Sequence, residues 1–190
     1  MGTSRWLLPA VLVITGASVG TGMVVRELYQ RPAEAKGDPV VQSSSSASPA
    51  DLPGDAEVRL SVDAFAHPDR ERVQNVLQRN FDAINERDFA KWRGSVTRER
   101  SRDTSEEHWR TEYSTTQDGS IVVQRIESDA RSGRLRVLMT LVSTQDPSKA
   151  PAEFPERCIR WRVVYPLKWE DDELRIDKGV ESGNPQRSAC

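Results

Sequence analysis

The sequence predicts an α+β protein in which an N-terminal transmembrane helix and a disordered linker precede three helices packed on a curled antiparallel sheet. Three stretches predict it. Trp6 to Val25 is a run of twenty uncharged residues between Arg5 and Arg26. Val73, Val76, Leu77, Phe81 and Ile84 repeat at the i, i+3, i+4 spacing of an amphipathic helix. Ile159, Trp161, Val163, Tyr165, Leu167 and Trp169 alternate with a period of two, which gathers all six on one face of a strand.

The first element is a five-residue tail (1–5) followed by the span at 6–25. At about 1.5 Å per helical residue the span covers roughly 30 Å, the hydrocarbon thickness of a bilayer. A cleaved signal peptide is the alternative, but the run is long for one. Met23-Val24-Val25 at its end is also not a small-x-small cleavage site. The basic residues count Arg5 before the span against Arg26, Arg31 and Lys36 after it, which nominally favours a cytoplasmic C-terminal side. A long polar linker and a candidate disulfide suit an exported domain better, so the reading taken is a single-pass cell-membrane protein with its C-terminal domain extracytoplasmic. Gly16 and Gly20 offer a small-residue face through which two copies could pair as a homodimer.

Residues 26–62 are rich in proline, serine and alanine and cannot bury enough apolar surface to offset their ordering entropy, so a disordered linker is expected there. The folded domain is expected at 63–179. Its first helix runs from about Pro68 to Asn85, and Asp88 caps a short second one carrying Phe89 and Trp92. Thr104-Ser105-Glu106-Glu107 resembles a capping sequence for a third, presenting Trp109 and Tyr113 inward before Asp118-Gly119 turns the chain. Four strands then follow, at about Ile121–Glu127, Leu135–Ser143, Cys158–Trp169 and Leu174–Ile176, the last two joined by a tight turn at Asp171-Asp172. Pro166 predicts a bulge, an edge or a bend in the third strand, because it cannot donate to a ladder. A polar tail closes the chain at 180–190.

Twenty-seven basic and twenty-nine acidic residues, with a net charge of −2, leave out the electrostatic footprint of a nucleic-acid binder. The only cysteines, Cys158 and Cys190, lack zinc or thioredoxin spacing. They are candidates for a disulfide in an oxidising compartment, with two unrelated thiols as the alternative. No Ser-His-Asp order, glycine-rich phosphate loop or metal-ligand cluster is present, so no cofactor, metal or catalytic set is expected. Arg93, Arg98, Arg100 and Arg102 stand beside Glu99, Asp103, Glu106 and Glu107 and read as a self-neutralising surface.

Phe81-Asp82-Ala83-Ile84-Asn85-Glu86-Arg87-Asp88-Phe89-Ala90-Lys91-Trp92 resembles the helix, polar break, acid and aromatic phrase of the NTF2-like superfamily, the cone fold of SnoaL-type cyclases and ketosteroid isomerases. Arg160-Trp161-Arg162-Val163-Val164-Tyr165 and Trp169-Glu170-Asp171-Asp172-Glu173-Leu174-Arg175-Ile176 resemble its last hairpin. The likeness covers about Pro68 to Lys178. With the span and linker added, the chain resembles exported actinobacterial accessory proteins, including Mce-associated ones, and VirB8-like and TcpC-like components of secretion machines. The scarcity of lysine beside arginine fits a GC-rich genome.

The resemblance implies that an acid and a tyrosine or histidine would face the cone interior of an enzyme. Tyr113, Tyr165, Asp88, His108 and His67 are the candidates. Each has a plainer role: Asp88 as a helix cap, His67 exposed beside Pro68, His108 in a polar stretch, and Tyr165 as core filling beside Trp161. Trp92, Trp109, Tyr113, Trp161 and Tyr165 are expected to line the cone. The function expected from sequence is a non-enzymatic binding or assembly accessory protein at the bacterial cell envelope, with the membrane and an envelope protein as partners. The alternative is a SnoaL-like or ketosteroid-isomerase-like pocket for a small hydrophobic ligand. The two separate on whether Trp92, Trp109 and Trp161 fill the cone or leave it open.

Overall fold

The computed structural model describes residues 52–179 and 185–190. The span expected at 6–25 and most of the linker lie outside the described residues, among which no helix is long and apolar enough to cross a membrane. The elements are β1 (Arg59–Leu60), α1 (Val62–Phe65), α2 (Arg70–Glu86), α3 (Phe89–Arg93), α4 (Arg98–Arg102), α5 (Glu106–Glu112), β2 (Gln117–Asp129), β3 (Arg134–Thr144), β4 (Cys158–Glu170), β5 (Glu173–Ile176) and β6 (Gln186–Ala189).

The class is α+β, with five helices and six strands among the described residues in place of three and four, and the sheet is mixed rather than wholly antiparallel. Its order is β1-β2-β3-β4-β5, with β6 paired to β4 as well. The odd pairing is β1 on β2, which is parallel, Arg59 opposite Val122 and Leu60 opposite Val123. All five helices lie between these two strands in sequence, a connection long enough to return the chain in the same direction.

α2 forms where the apolar period predicts, burying Val73, Val76, Leu77, Phe81, Ala83 and Ile84, each side chain contributing about 1.5–3 kcal/mol if large. It begins at Arg70, with Asp69 at the N-cap position but making no side-chain cap bond, and it ends on Arg87, whose φ of 62° is left-handed. Asp88 then caps α3 by accepting from the Lys91 N–H at 2.9 Å, and Ser105 caps α5 by accepting from the His108 N–H at 3.2 Å. α4 is the arginine run. It is a helix because Thr97 accepts from the Arg100 N–H at 3.3 Å, although no residue of it is buried.

The edge beyond β1 is closed by side chains. Gln78 Oε1 accepts from the Val58 N–H at 2.8 Å, and Gln74 Nε2 donates to the Val58 carbonyl at 2.7 Å, so two glutamines of α2 stand where another strand would pair. Val58 itself is fully buried. The stretch 52–62, assigned to the linker by composition, therefore packs against α2 and β2 in its C-terminal part.

β4 is the backbone of the sheet. It pairs with β3 without a break from Cys158 opposite Thr144 to Leu167 opposite Leu135. Its other edge is divided between β6 at Ile159–Arg162 and β5 at Leu167–Glu170. Pro166 sits between these two partners. Its carbonyl faces that edge and accepts from the Asp177 N–H at 2.8 Å, so the missing proline N–H falls where no ladder bond is made. The turn to β5 places Asp171 and Asp172 at φ values of 50° and 62°, the two left-handed residues of a type I′ hairpin. β6 lies in the expected tail, and Cys190 at its end is joined to Cys158 by a disulfide.

Candidate functional site

The helix-facing side of β4 is not uniformly covered. Ile159 and Leu167 are fully buried at its two ends, whereas Trp161, Val163 and Tyr165 between them are only half-buried. They form one wall of a cleft of about 470 Å³, within the usual range for small-molecule sites. Ile84 from α2, Glu112 and Tyr113 at the end of α5, Asp118 from β2 and Ser143 from β3 complete its inner surface. Lys149, Ala150 and Pro151 stand at its rim, with Pro185 ahead of β6.

Trp92 and Trp109 do not line this cleft. They are 2% and 1% exposed and form a plug with Phe89 under the helices, with ring centroids 5.5 to 5.7 Å apart. Neither indole N–H has a hydrogen-bond partner. Arg100 lies over Trp92 at 5.8 Å and seals the plug from outside. Tyr113 packs against Trp109 at 5.3 Å with the two rings tilted and carries the aromatic series from the plug to the cleft, which Tyr165, stacked at 6.2 Å on Phe81, also lines. Of the five aromatic residues expected to line the cone, Tyr113, Trp161 and Tyr165 line the cleft, and Trp92 and Trp109 are buried in the core instead.

The acid in this site is one that sequence reasoning missed. Asp118 is 5% exposed and accepts a short hydrogen bond from the Ser143 hydroxyl, itself 7% exposed. Burial pushes its carboxyl up to about 6, against the lowering effects of Ser143 and of the Arg87 guanidinium. Burial likewise raises Tyr113 and Tyr165, opposed in each by Arg100. Both hydroxyls stay protonated at neutral pH, and neither has a hydrogen-bond partner among the described residues. The cleft therefore offers two phenolic groups and one readily protonated carboxyl on largely apolar walls.

Asp88, the acid that the sequence offers, serves as the α3 cap and does not line the cleft. His108 pairs with Glu112 at 3.1 Å, and His67 accepts from the Asp69 N–H at 3.1 Å while meeting Ser128 at 2.9 Å. Neither histidine lines the cleft. Asp118 is not among the candidates because, with Gly119, it reads in the sequence as a turn, whereas the structure places both in β2, buried ahead of Ile121 and Val123. A register shift between Gly119 and Val122, with Ser120 at a φ of 49°, reverses the alternation there. Gly119 is required at that bend, since a Cβ on it would stand 2.5 Å from the Gly54 carbonyl oxygen. Among the described residues no cluster of His, Cys, Asp and Glu has the makings of a metal site. Compared with known proteins, the chain matches no family model, no curated protein and no solved structure.

Proposed function

We propose that the chain is a membrane-tethered, NTF2-like binding module of the bacterial cell envelope, and that its cleft receives a small amphiphilic molecule. The sequence alone favours assembly with an envelope partner. The open cleft favours a ligand, because Trp92 and Trp109 are packed in the core away from its lining and Trp161 stands in its wall. One observation carries the reading: the hydroxyls of Tyr113 and Tyr165 and the carboxyl of Asp118 face one apolar space without protein partners for the two phenols. Water can reach such groups in an open cleft, and a ligand that displaces it must offer hydrogen-bonding atoms in its place. A ligand with an oxygen-bearing end and an apolar body satisfies both demands.

The test is a titration of the detergent-solubilised full chain with a fluorescent fatty acid. Saturable binding is expected, weakened about tenfold by Tyr165→Phe and by Asp118→Ala, each of which removes a polar group that meets the ligand. Binding that is unsaturable, or unaltered in both variants, overturns the reading. Asp118 supports a second one. A carboxyl titrating near 6 beside two phenols is suited to moving a proton on a bound carbonyl compound, and deuterium incorporation next to the carbonyl of a cyclic ketone tests it.

A further inference from the structure

We propose that the solvent-facing side of the sheet carries a second binding site, for a small phosphate monoester held between Arg160 and Arg162. The site is independent of the cleft, which lies on the helix-facing side. The two arginines are exposed and stand two residues apart on β4, so they share one face at a spacing of about 7 Å. The register surrounds them with uncharged neighbours: Arg160 lies between Val142 of β3 and Ser188 of β6, and Arg162 lies between Thr140 and Gln186. Further along the same face the cations are paired. Arg136 meets Glu127 at 3.3 Å and Lys168 meets Glu170 at 3.8 Å, whereas neither Arg160 nor Arg162 has an acidic partner among the described residues. Two like charges are thus held side by side on a sheet that supplies counter-ions elsewhere, and a bound anion relieves their repulsion.

The groove around the pair has the complementary chemistry. Its volume is about 520 Å³, within the range of small-molecule sites, and Thr140, Val142, Gln186 and Ser188 line it with the two arginines. Thr140 Oγ1 accepts from Gln124 Nε2 at 3.2 Å, which leaves the threonine O–H to donate. Ser188 adds a hydroxyl, Gln186 an amide NH2 and each guanidinium a planar fork, and no carboxylate of the described residues lines the groove. Arg187 borders it as well, but its guanidinium is taken by Glu153 at 2.8 Å. The β6 wall that brings Gln186 and Ser188 is fastened to β4 by the Cys158–Cys190 bond. A set made of donors selects an anion with several oxygens. A carboxylate brings one charge and two oxygens and fills one fork, whereas a phosphate monoester brings nearly two charges and three terminal oxygens and matches two.

The experiment titrates the detergent-solubilised full chain with glycerol 3-phosphate by calorimetry at constant ionic strength, with inorganic phosphate and acetate in separate runs. Saturable binding with a Kd of about 1 mM or below is expected for the ester, and binding at least about tenfold weaker for acetate. Arg160→Gln and Arg162→Gln should each weaken the ester about tenfold. Arg131→Gln, which removes an arginine from the turn between β2 and β3, should change it less than about twofold, and melting followed by circular dichroism checks that each variant is folded. No saturation, an equal loss in Arg131→Gln, or acetate bound as tightly as the ester overturns the site. Inorganic phosphate bound more tightly than the ester overturns the monoester as its occupant. The fatty-acid titration of the cleft should be the same in the parent and the arginine variants, so that either site can fail alone.

Discussion

Asn85 holds Asp118 by both of its backbone polar groups, donating from Nδ2 to the Asp118 carbonyl at 2.9 Å and accepting the Asp118 N–H on Oδ1 at 2.8 Å. The side-chain amide at the end of α2 thus acts as a strand partner for the first residues of β2 and sets the acid against the cleft. Asn85→Leu leaves a donor and an acceptor of Asp118 without partners, and a loss of about 2–4 kcal/mol is expected. Urea unfolding measures it, and a loss below about 0.5 kcal/mol would show that Asn85 is not what holds the strand.

The acid itself sets a pH dependence of stability. The folded value of Asp118, about 6, lies above its ordinary 3.8, so the folded protein holds this proton where the unfolded chain has released it. The proton-linked stability is fully present below about pH 4 and is lost as pH rises to about 6, by at most about 1.4 kcal/mol per pH unit. Asp118→Asn removes this slope. Unfolding at a series of pH values should show the difference between variant and parent growing through that window, and parallel curves would exclude the effect.

Trp109 offers a contrast between size and polarity. Trp109→Ala opens a cavity under Phe89 and Trp92, with an expected cost of about 3–5 kcal/mol. Trp109→Phe keeps an aromatic ring and removes an indole N–H that has no partner, so its cost should stay below about 2 kcal/mol. Thermal unfolding of the two variants gives the ratio. Equal losses would mean that the N–H, and not the ring, was being paired.

Reduction of the Cys158–Cys190 bond, or Cys190→Ser, should free β6 from the edge of β4. The bond spans 32 residues, and a stability loss of about 2–4 kcal/mol is expected on opening it. Hydrogen exchange at Arg160 and Arg162 should accelerate while amides facing β3 stay protected. Uniform protection after reduction would show that strand pairing alone retains β6.

What was legible in the sequence follows from how each element is stabilised. α2, α3 and the alternating face of β4 draw their stability from apolar residues, and these leave a period. The Asp88 cap and the Asp171-Asp172 turn draw theirs from local geometry that only a few residue types satisfy. β1 has two residues and exists because β2 pairs with it, and Gln-Arg-Ser-Ala of β6 became a strand through a cysteine that could equally have stayed free. α4 has no buried face and so no period to find. The site was the least legible part. Tyr113, Trp161 and Tyr165 stand out by type, but Asp118 is brought to them by a bulge, by Asn85 from 33 residues away and by Ser143 across the sheet.

The glutamines that close the β1 side have a consequence for crowding. Chains confined to a surface meet one another at high local concentration, and an unpaired strand border is then a template for fibre growth. Here Gln74 and Gln78 occupy one border, and the other is split between two short strands with Pro166 in the gap. The split border presents no long run of free backbone groups to a neighbour. Replacing the two glutamines with alanine would leave the cleft residues in place and expose the chain to growth by strand addition.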